Sequence, residues 1–540
     1  MRLLRFLLGI SHRTVGLIAL VGIVNGVCSM GLVAIVNRTL NHREAIPTVL
    51  AFAFLGLLLA KLTSAGVASV LQVRFVEDTV RTLYDRLCHG VANAPFRHLE
   101  RVGIPRILTV LTADVPTLGA VVQSLPSLLI NGAVLVACGA YLSWLSWTTF
   151  AGMLGLVFVG AAIYRPFQTR AQRKIRLARN TRDTLFRHFR ALTEGIKELR
   201  LHRSRREVFF SRDIAGTTDE LRRHNLAANK WYIVADTCSN AFFYVMIGLL
   251  LFVLPLVAPL PFESLTGYIF VSLYLMNPLW AIIGAVPFLN RGQIALQKIE
   301  ECNLSLMPPG ETEERALVSK DPPRAWMRLE MRGAVFAYEP EESGNGTFCL
   351  GPIDFTLHPR EVVFVVGGNG SGKSTFVKVL TGLYIPRAGE IRLDGQLISD
   401  HNRDWYRQYF SAVFSDFYLF DDLLGLSSPD LDSRVQNFLT RLQLDRKVEI
   451  TRGRFSSTAL SQGQRKRLAL LTAYLEDRPI YVFDEWAADQ DPAYKEIFYR
   501  SLLPELRDRS KAVVVITHDD RYYHLGDRII KLDDGKLASA

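Results

Sequence analysis

Cysteine is scarce and unpatterned in this chain. Its six residues stand at 28, 88, 138, 238, 302 and 349, and no two share Cys-x-x-Cys spacing. That argues against a zinc site or a disulfide framework and leaves buried, reduced thiols as the expectation. A small-residue cleavage site is also lacking near the N-terminus. The opening "MRLLRFLLGISHR" is basic and apolar, so an amphipathic interfacial helix leading into a first span fits better than a removable signal. Charge is thin: 21% of residues are Asp, Glu, Lys or Arg, against 49% hydrophobic. The formal net charge is nevertheless +11. Much of the excess basic charge lies between hydrophobic runs, which points to cytoplasmic loops of a membrane protein and away from a nucleic-acid partner.

At 540 residues the chain is too long for one ordinary domain. The averages conceal a split between long uncharged runs in the first half and a soluble α/β pattern in the second. A membrane span needs about 20 mostly apolar residues. Six runs qualify: Val15–Val36, Ile46–Val70, Leu125–Leu142, Thr148–Tyr164, Ile233–Ala258 and Leu265–Leu289. The third and fourth are joined by the tight "SWLSW", whose Trp144 and Trp147 suit a membrane interface. The fifth and sixth are joined by "PLPFES".

Basic residues set the expected orientation. Arg165–Lys230 holds about eighteen Lys and Arg, and Gln72–Ser124 about six, whereas the short outer loops hold little beyond Arg38 and Arg43. Both long segments are therefore expected in the cytoplasm, with both termini. Leu185, Phe189, Leu192, Ile196 and Leu199 recur at alternating four and three, the seam of a packed helix. Two such helices could project on the order of 40 Å beyond the membrane.

A polar, proline-rich linker, "MPPGETEERALVSKDPPR", closes the first half near Arg324. Beyond it, strands and helices alternate. "VVFVV" reads as a buried strand and runs into Gly367, Gly368, Asn369, Gly370, Ser371, Gly372, Lys373 and Ser374, with Thr375 following. This is the phosphate-loop pattern GxxxxGK[ST]. Its glycines let backbone N–H groups curl around phosphates, Lys373 neutralises their charge, and Ser374 is placed to ligate Mg²⁺. A second apolar strand, "PIYVFDE", ends in Asp484, suited to hold Mg²⁺, and Glu485, suited to polarise the attacking water. A third, "KAVVVITH", ends in His518, suited to a γ-phosphate. In "LSQGQRKRLALL", Ser461 sits where it caps a helix whose positive end would face an anion.

The loop, the acidic pair, His518 and this last signature occur in the order and spacing of an ATP-binding cassette. The whole chain resembles an ABC half-transporter of the exporter type. The resemblance implies a multidomain chain: an all-α six-span transmembrane domain with long cytoplasmic helices (1–300), a linker (301–324) and an α/β phosphate-loop cassette (325–540). It implies ATP and Mg²⁺ as cofactors, and Tyr338 in "VFAYEP" as the aromatic that stacks on adenine. It also makes Asp491 the loop aspartate after the acidic pair, and Ser461, Gln462, Gly463 and Gln464 the signature that closes on a second copy's nucleotide. One cassette per chain then implies a homodimer in a lipid bilayer. "FDEWAADQDPAYKEIFY" with "THDDRYY" is similar to the subgroup that exports cyclic peptides and siderophore precursors, with pyoverdine-like and syringomycin-like products.

Three residues depart from the family pattern. Gln462 replaces the first signature glycine, Trp486 follows Glu485 where proline is usual, and Ser415 in "SAVFSDFYLF" stands at a position that normally holds a metal-reaching glutamine. The implied function is ATP-driven export of a peptidic or amphiphilic metabolite across the bacterial inner membrane, with a possible periplasmic accessory protein. No protease-like segment precedes the spans, which argues against leader removal by this chain. Polar residues within spans (Asn25, Lys61, Asp236 and Asn277) are candidates for cargo contact, since a central charge costs about 2.5–3.5 kcal/mol unless it faces protein or water. Two alternatives stay open: a lipid or lipid-linked flippase with the same engine, and a membrane-anchored ATP-binding regulator with little turnover.

Overall fold

The computed structural model describes residues 12–41, 48–257, 261–302, 325–338, 348–426 and 430–538. The N-terminal segment, the expected span ends at Ile46 and Ala258, and most of the linker lie outside them. The chain divides into two compact units, Met1–Asp85 with Leu108–Asn303, and Arg86–Ile107 with Leu304–Ala540.

Among the described residues, six helices are long and apolar enough to cross a membrane: α1 (Arg13–Asn41), α2 (Thr48–Asn93), α4 (Ile104–Leu145), α5 (Trp147–Glu194), α7 (Arg203–Leu256) and α8 (Phe262–Glu301). Two short helices lie between them, α3 (Phe96–Val102) and α6 (Ile196–Leu201). Every expected apolar run lies mostly within one of the six, and most helices continue well past the run into charged sequence. The "SWLSW" corner forms because Ser146 leaves the helical region (φ −166°) and its hydroxyl accepts from Thr149 N at 3.4 Å, capping α5. Tyr268 closes the other side of this corner. Its hydroxyl lies 2.8 Å and 2.7 Å from the Leu142 and Ser146 carbonyl oxygens, which also accept from Ser146 N and Phe150 N at 3.1 Å each. Trp144 and Trp147 are both exposed, 81% and 68%, as an interfacial pair would be.

Small residues bring α1 onto α4: a Cβ at Gly26 would stand 3.2 Å from the Ala133 carbonyl oxygen. The expected continuous seam on the fourth helix is only partly present. Leu185 and Leu199 are buried, but Phe189 and Ile196 are exposed, and the helix breaks at Gly195. The heptad-like spacing counted through that break as if the helix ran on.

The second unit contains a four-stranded sheet of β1 (Leu329–Ala337), β2 (Cys349–Leu357), β4 (Ala388–Leu393) and β5 (Gln396–Leu397). It also contains a six-stranded sheet of β3 (Val362–Val366), β6 (Phe410–Val413), β9 (Ile480–Asp484), β10 (Ala512–Ile516), β11 (Arg528–Asp533) and β12 (Lys536–Leu537), ordered β12-β11-β3-β10-β9-β6. A small hairpin pairs β7 (Ile450–Thr451) with β8 (Arg454–Phe455). Strands β11, β3, β10, β9 and β6 run parallel. Helices and the second sheet cover both faces, so β3, β9 and β10 are buried along their whole length. That double burial explains their unbroken apolar runs. All three deliver their C-terminal ends to one edge, the usual place for a ligand in such sheets.

Candidate nucleotide site

Strand β3 hands the chain to the phosphate loop, which enters α9 (Lys373–Leu380). Gly370 and Gly372 adopt φ +79° and +98°, conformations that side chains resist. At Gly367 a Cβ would collide with the Leu532 carbonyl oxygen. The Lys373 ammonium is buried and donates to the Gly367 and Gly368 carbonyl oxygens at 3.0 Å and 2.9 Å, so its charge is held inside the loop. The Ser371 hydroxyl is buried without a partner. A buried cation, a free hydroxyl and a glycine-lined turn at a helix N-terminus fit phosphate oxygens.

Strand β9 ends at Asp484, which is buried. Burial pushes its carboxyl above the usual aspartate range, opposed by hydrogen bonds from Ser374 and Ser415. The two hydroxyls lie 3.5 Å and 3.4 Å from its two oxygens. Ser415 therefore reaches the aspartate even with its short side chain. Ser374 and Asp484 are the two oxygen-bearing side chains here that would suit a hard divalent cation. Among the described residues no group of three His, Cys, Asp or Glu side chains could hold a metal by itself.

Glu485 follows in a left-handed turn (φ +51°), and its Oε1 lies 3.1 Å from His518 Nε2. Both side chains are part-exposed and line a cleft of about 320 Å³ with Thr517, Lys495 and Arg521. A carboxylate open to solvent and oriented by an imidazole is suited to accept a proton from water. Nearby, Arg521 holds Asp519 below the usual carboxylate range through a hydrogen bond of 2.7 Å.

Ser461 is the N-cap of α10 (Gln462–Glu476). It forms a capping box with Gln464, accepting from Gln464 N at 3.4 Å while its own N–H donates to Gln464 Oε1 at 3.2 Å. Beyond this capping box and the backbone bonds of α10 itself, the signature's side-chain and carbonyl hydrogen bonds among the described residues run to Asp489 and Gln490. Gln462 Nε2 donates to Asp489 Oδ2 at 3.3 Å, and Gln490 Nε2 to the Gly463 carbonyl at 3.0 Å. Gly463 has no room to spare, since a Cβ there would stand 3.2 Å from the Asp489 carbonyl oxygen.

Sequence reasoning missed Lys466. Its ammonium is buried, 2.7 Å from Asp489 Oδ2 and 3.1 Å from the Glu485 carbonyl oxygen. The Trp486 indole N–H donates to the Lys466 carbonyl at 2.7 Å. Two of the three departures from the family pattern, Gln462 and Trp486, thus belong to one network around Lys466 and Asp489. The signal was present as an extra acid in "AADQD" and a lysine within an otherwise apolar helix face.

Tyr338 is half-buried at the end of β1, its hydroxyl 3.1 Å from Thr375 Oγ1 and its ring edge-on to Phe336. Asp491 precedes the helix Pro492–Ile497, exposed and making no capping hydrogen bond. Asn369 lies at the exposed tip of the phosphate loop.

In the first unit a cavity of about 490 Å³ lies among α5, α7 and α8. Phe242, Phe243, Trp280 and Ile283 form its apolar body, and Arg165 and Gln168 its polar side. None of the four span residues singled out by sequence lines it. The Lys61 ammonium lies 5.3 Å from the centre of the Tyr274 ring, and Asp236 accepts from Asn240 on its own helix. Asn25 accepts from Ser29, and Asn277 is exposed.

Comparison with known proteins accords with this arrangement. Residues 15–279 match the ABC transporter transmembrane region, and residues 350–488 match the ABC transporter family. The chain is 37% identical to the ATP-binding protein SyrD of Pseudomonas syringae pv. syringae, over 96% of this chain and 93% of that protein. It is 24% identical to the ATP-dependent lipid A-core flippase of Vibrio cholerae, over 92% of this chain and 86% of the flippase. A shorter match, 31% over 39% of this chain, is to the energy-coupling factor transporter ATP-binding protein EcfA1 of Mycoplasma capricolum. With membrane helices and a nucleotide site in one polypeptide, the chain belongs to the ABC transporters, as a multi-pass, ATP-hydrolysing protein of the exporter type.

Proposed function

We propose that two copies of this chain pair in the bacterial inner membrane, cassettes in the cytoplasm, and use ATP to export a peptide-derived, amphiphilic metabolite. The observation that carries this reading is the relation to SyrD over 96% of this chain, supported by a Lys373 held inside the phosphate loop and a Glu485 3.1 Å from His518. The phosphate loop from Gly367 to Thr375 grips the triphosphate, and Tyr338 carries the base. Ser374 and Asp484 would hold Mg²⁺, which would neutralise phosphate charge, with Ser415 behind the aspartate. Glu485 takes the proton of the attacking water, and His518 orients Glu485. Ser461, Gln462, Gly463 and Gln464 face outward to the partner copy's nucleotide, with Asp491 beside them. The cavity lined by Phe242, Trp280 and Arg165 is the candidate cargo site; its mixed lining suits an amphiphile. An accessory periplasmic protein would extend the route beyond the inner membrane.

A lipid flippase is the second reading, favoured by the long match to the lipid A-core flippase. Untargeted mass spectrometry separates the two. Cells carrying Glu485→Gln should retain a peptidic species that native cells release. A change confined to outer-leaflet lipids would instead contradict the peptide reading.

A further inference from the structure

Helix α3 comes from the loop between the second and third membrane helices, yet it packs within the cassette unit. Its Glu100 carboxylate pairs with Lys378 Nζ at 2.8 Å and accepts a hydrogen bond from the Tyr384 hydroxyl. The Tyr384 ring is buried and stacked on Phe336, centroids 4.5 Å apart. Its oxygen lies 3.5 Å from the Tyr338 hydroxyl, which lies 3.1 Å from Thr375 Oγ1.

The direction of these bonds is fixed by one end. An ionised carboxylate only accepts, and a tyrosine has one proton to give. Burial and the Glu100 carboxylate both push the Tyr384 hydroxyl up, so it keeps that proton and gives it to Glu100. Tyr384 can then only accept from Tyr338, and Tyr338 only from Thr375. The four side chains form one polarised chain from a membrane-domain loop to the residue that follows Ser374. The Lys378 ion pair suffices to dock the loop; it gives no reason for two aligned hydroxyls behind it.

We infer that Glu100 and Tyr384 are positioning residues for the nucleotide base. Through Tyr338 they fix the aromatic platform against the phosphate loop, so the loop between two membrane helices sets the affinity for ATP. This rests on Tyr338 being the base platform.

The test uses the full-length protein in lipid nanodiscs, comparing ATPase kinetics with inhibition by inorganic tripolyphosphate, which has phosphates but no base. Tyr384→Phe removes one oxygen and keeps the stacked ring. It should raise KM for ATP about three- to tenfold, the effect of one hydrogen bond. The same variant should keep kcat within about twofold and leave tripolyphosphate inhibition unchanged. Glu100→Ala should raise KM similarly, and the double variant no further, because both break the same chain. An unchanged KM in Tyr384→Phe, equal weakening of tripolyphosphate, or additive effects would overturn the inference. Tyr338→Leu distinguishes the two layers. If it raises KM for ATP alone while the other variants do not, the platform stands and the relay falls; if it changes nothing, the platform reading falls and takes the relay with it.

Discussion

Lys466 holds a positive charge in an almost fully buried side chain, between the Glu485 carbonyl and the Asp489 carboxylate. A buried ammonium is tolerated only with such partners. Lys466→Met keeps the apolar stem but leaves the Glu485 carbonyl without its lysine donor and Asp489 without its cation. Asp489 is half-exposed, which softens the loss, and a destabilisation of about 1–3 kcal/mol is expected. Thermal unfolding of the full-length protein in detergent would show it as a lowered Tm; an unchanged Tm would contradict the assignment. Asp484 supplies a pH dependence. Burial raises its folded pKa above the ordinary aspartate value of about 3.9. The folded protein thus holds this proton more tightly than the unfolded chain does, so ionising Asp484 costs stability as pH rises through that raised value. A Mg²⁺ held by Asp484, as proposed, would need the ionised form, and the linkage there has the opposite sign. Mg²⁺-dependent nucleotide affinity should fall as pH drops through the raised pKa, at a pH above that of a free aspartate, and Asp484→Asn should abolish this pH dependence. Titrating affinity against pH with and without Mg²⁺ checks it.

At the scale of elements, legibility followed how local each constraint was. The phosphate loop could be read because its turn forbids side chains at Gly367, Gly370 and Gly372, which forces glycine at fixed positions. Strands β3, β9 and β10 could be read because burial on both faces demands unbroken apolar runs. The six membrane helices were visible from length and hydropathy, but their ends were not, since the helices continue into charged sequence. Two kinds of feature were hidden. Gly195 interrupts a spacing that reads as continuous, because one glycine barely changes a periodic count. Contacts between distant elements leave no local trace: Lys466 meets Asp489 across 23 positions, and Tyr384 meets Glu100 across 284. The departures at Gln462 and Trp486 looked unrelated in the sequence, and only the fold brings both to the Lys466 turn.

For the whole molecule, Gln462 and Gly463 of the signature bond to Asp489 and Gln490 of the same chain, and in the proposed pair the capped N-terminus of α10 would face a second copy's nucleotide. If two copies pair as proposed, ATP use and cargo movement are properties of the pair. The most direct measurement uses inside-out membrane vesicles supplied with the peptidic fraction recovered from cells carrying Glu485→Gln. Uptake into native vesicles should require ATP and be absent from Glu485→Gln vesicles. Equal uptake with and without ATP, or equal uptake in the two preparations, would contradict ATP-driven export by this chain.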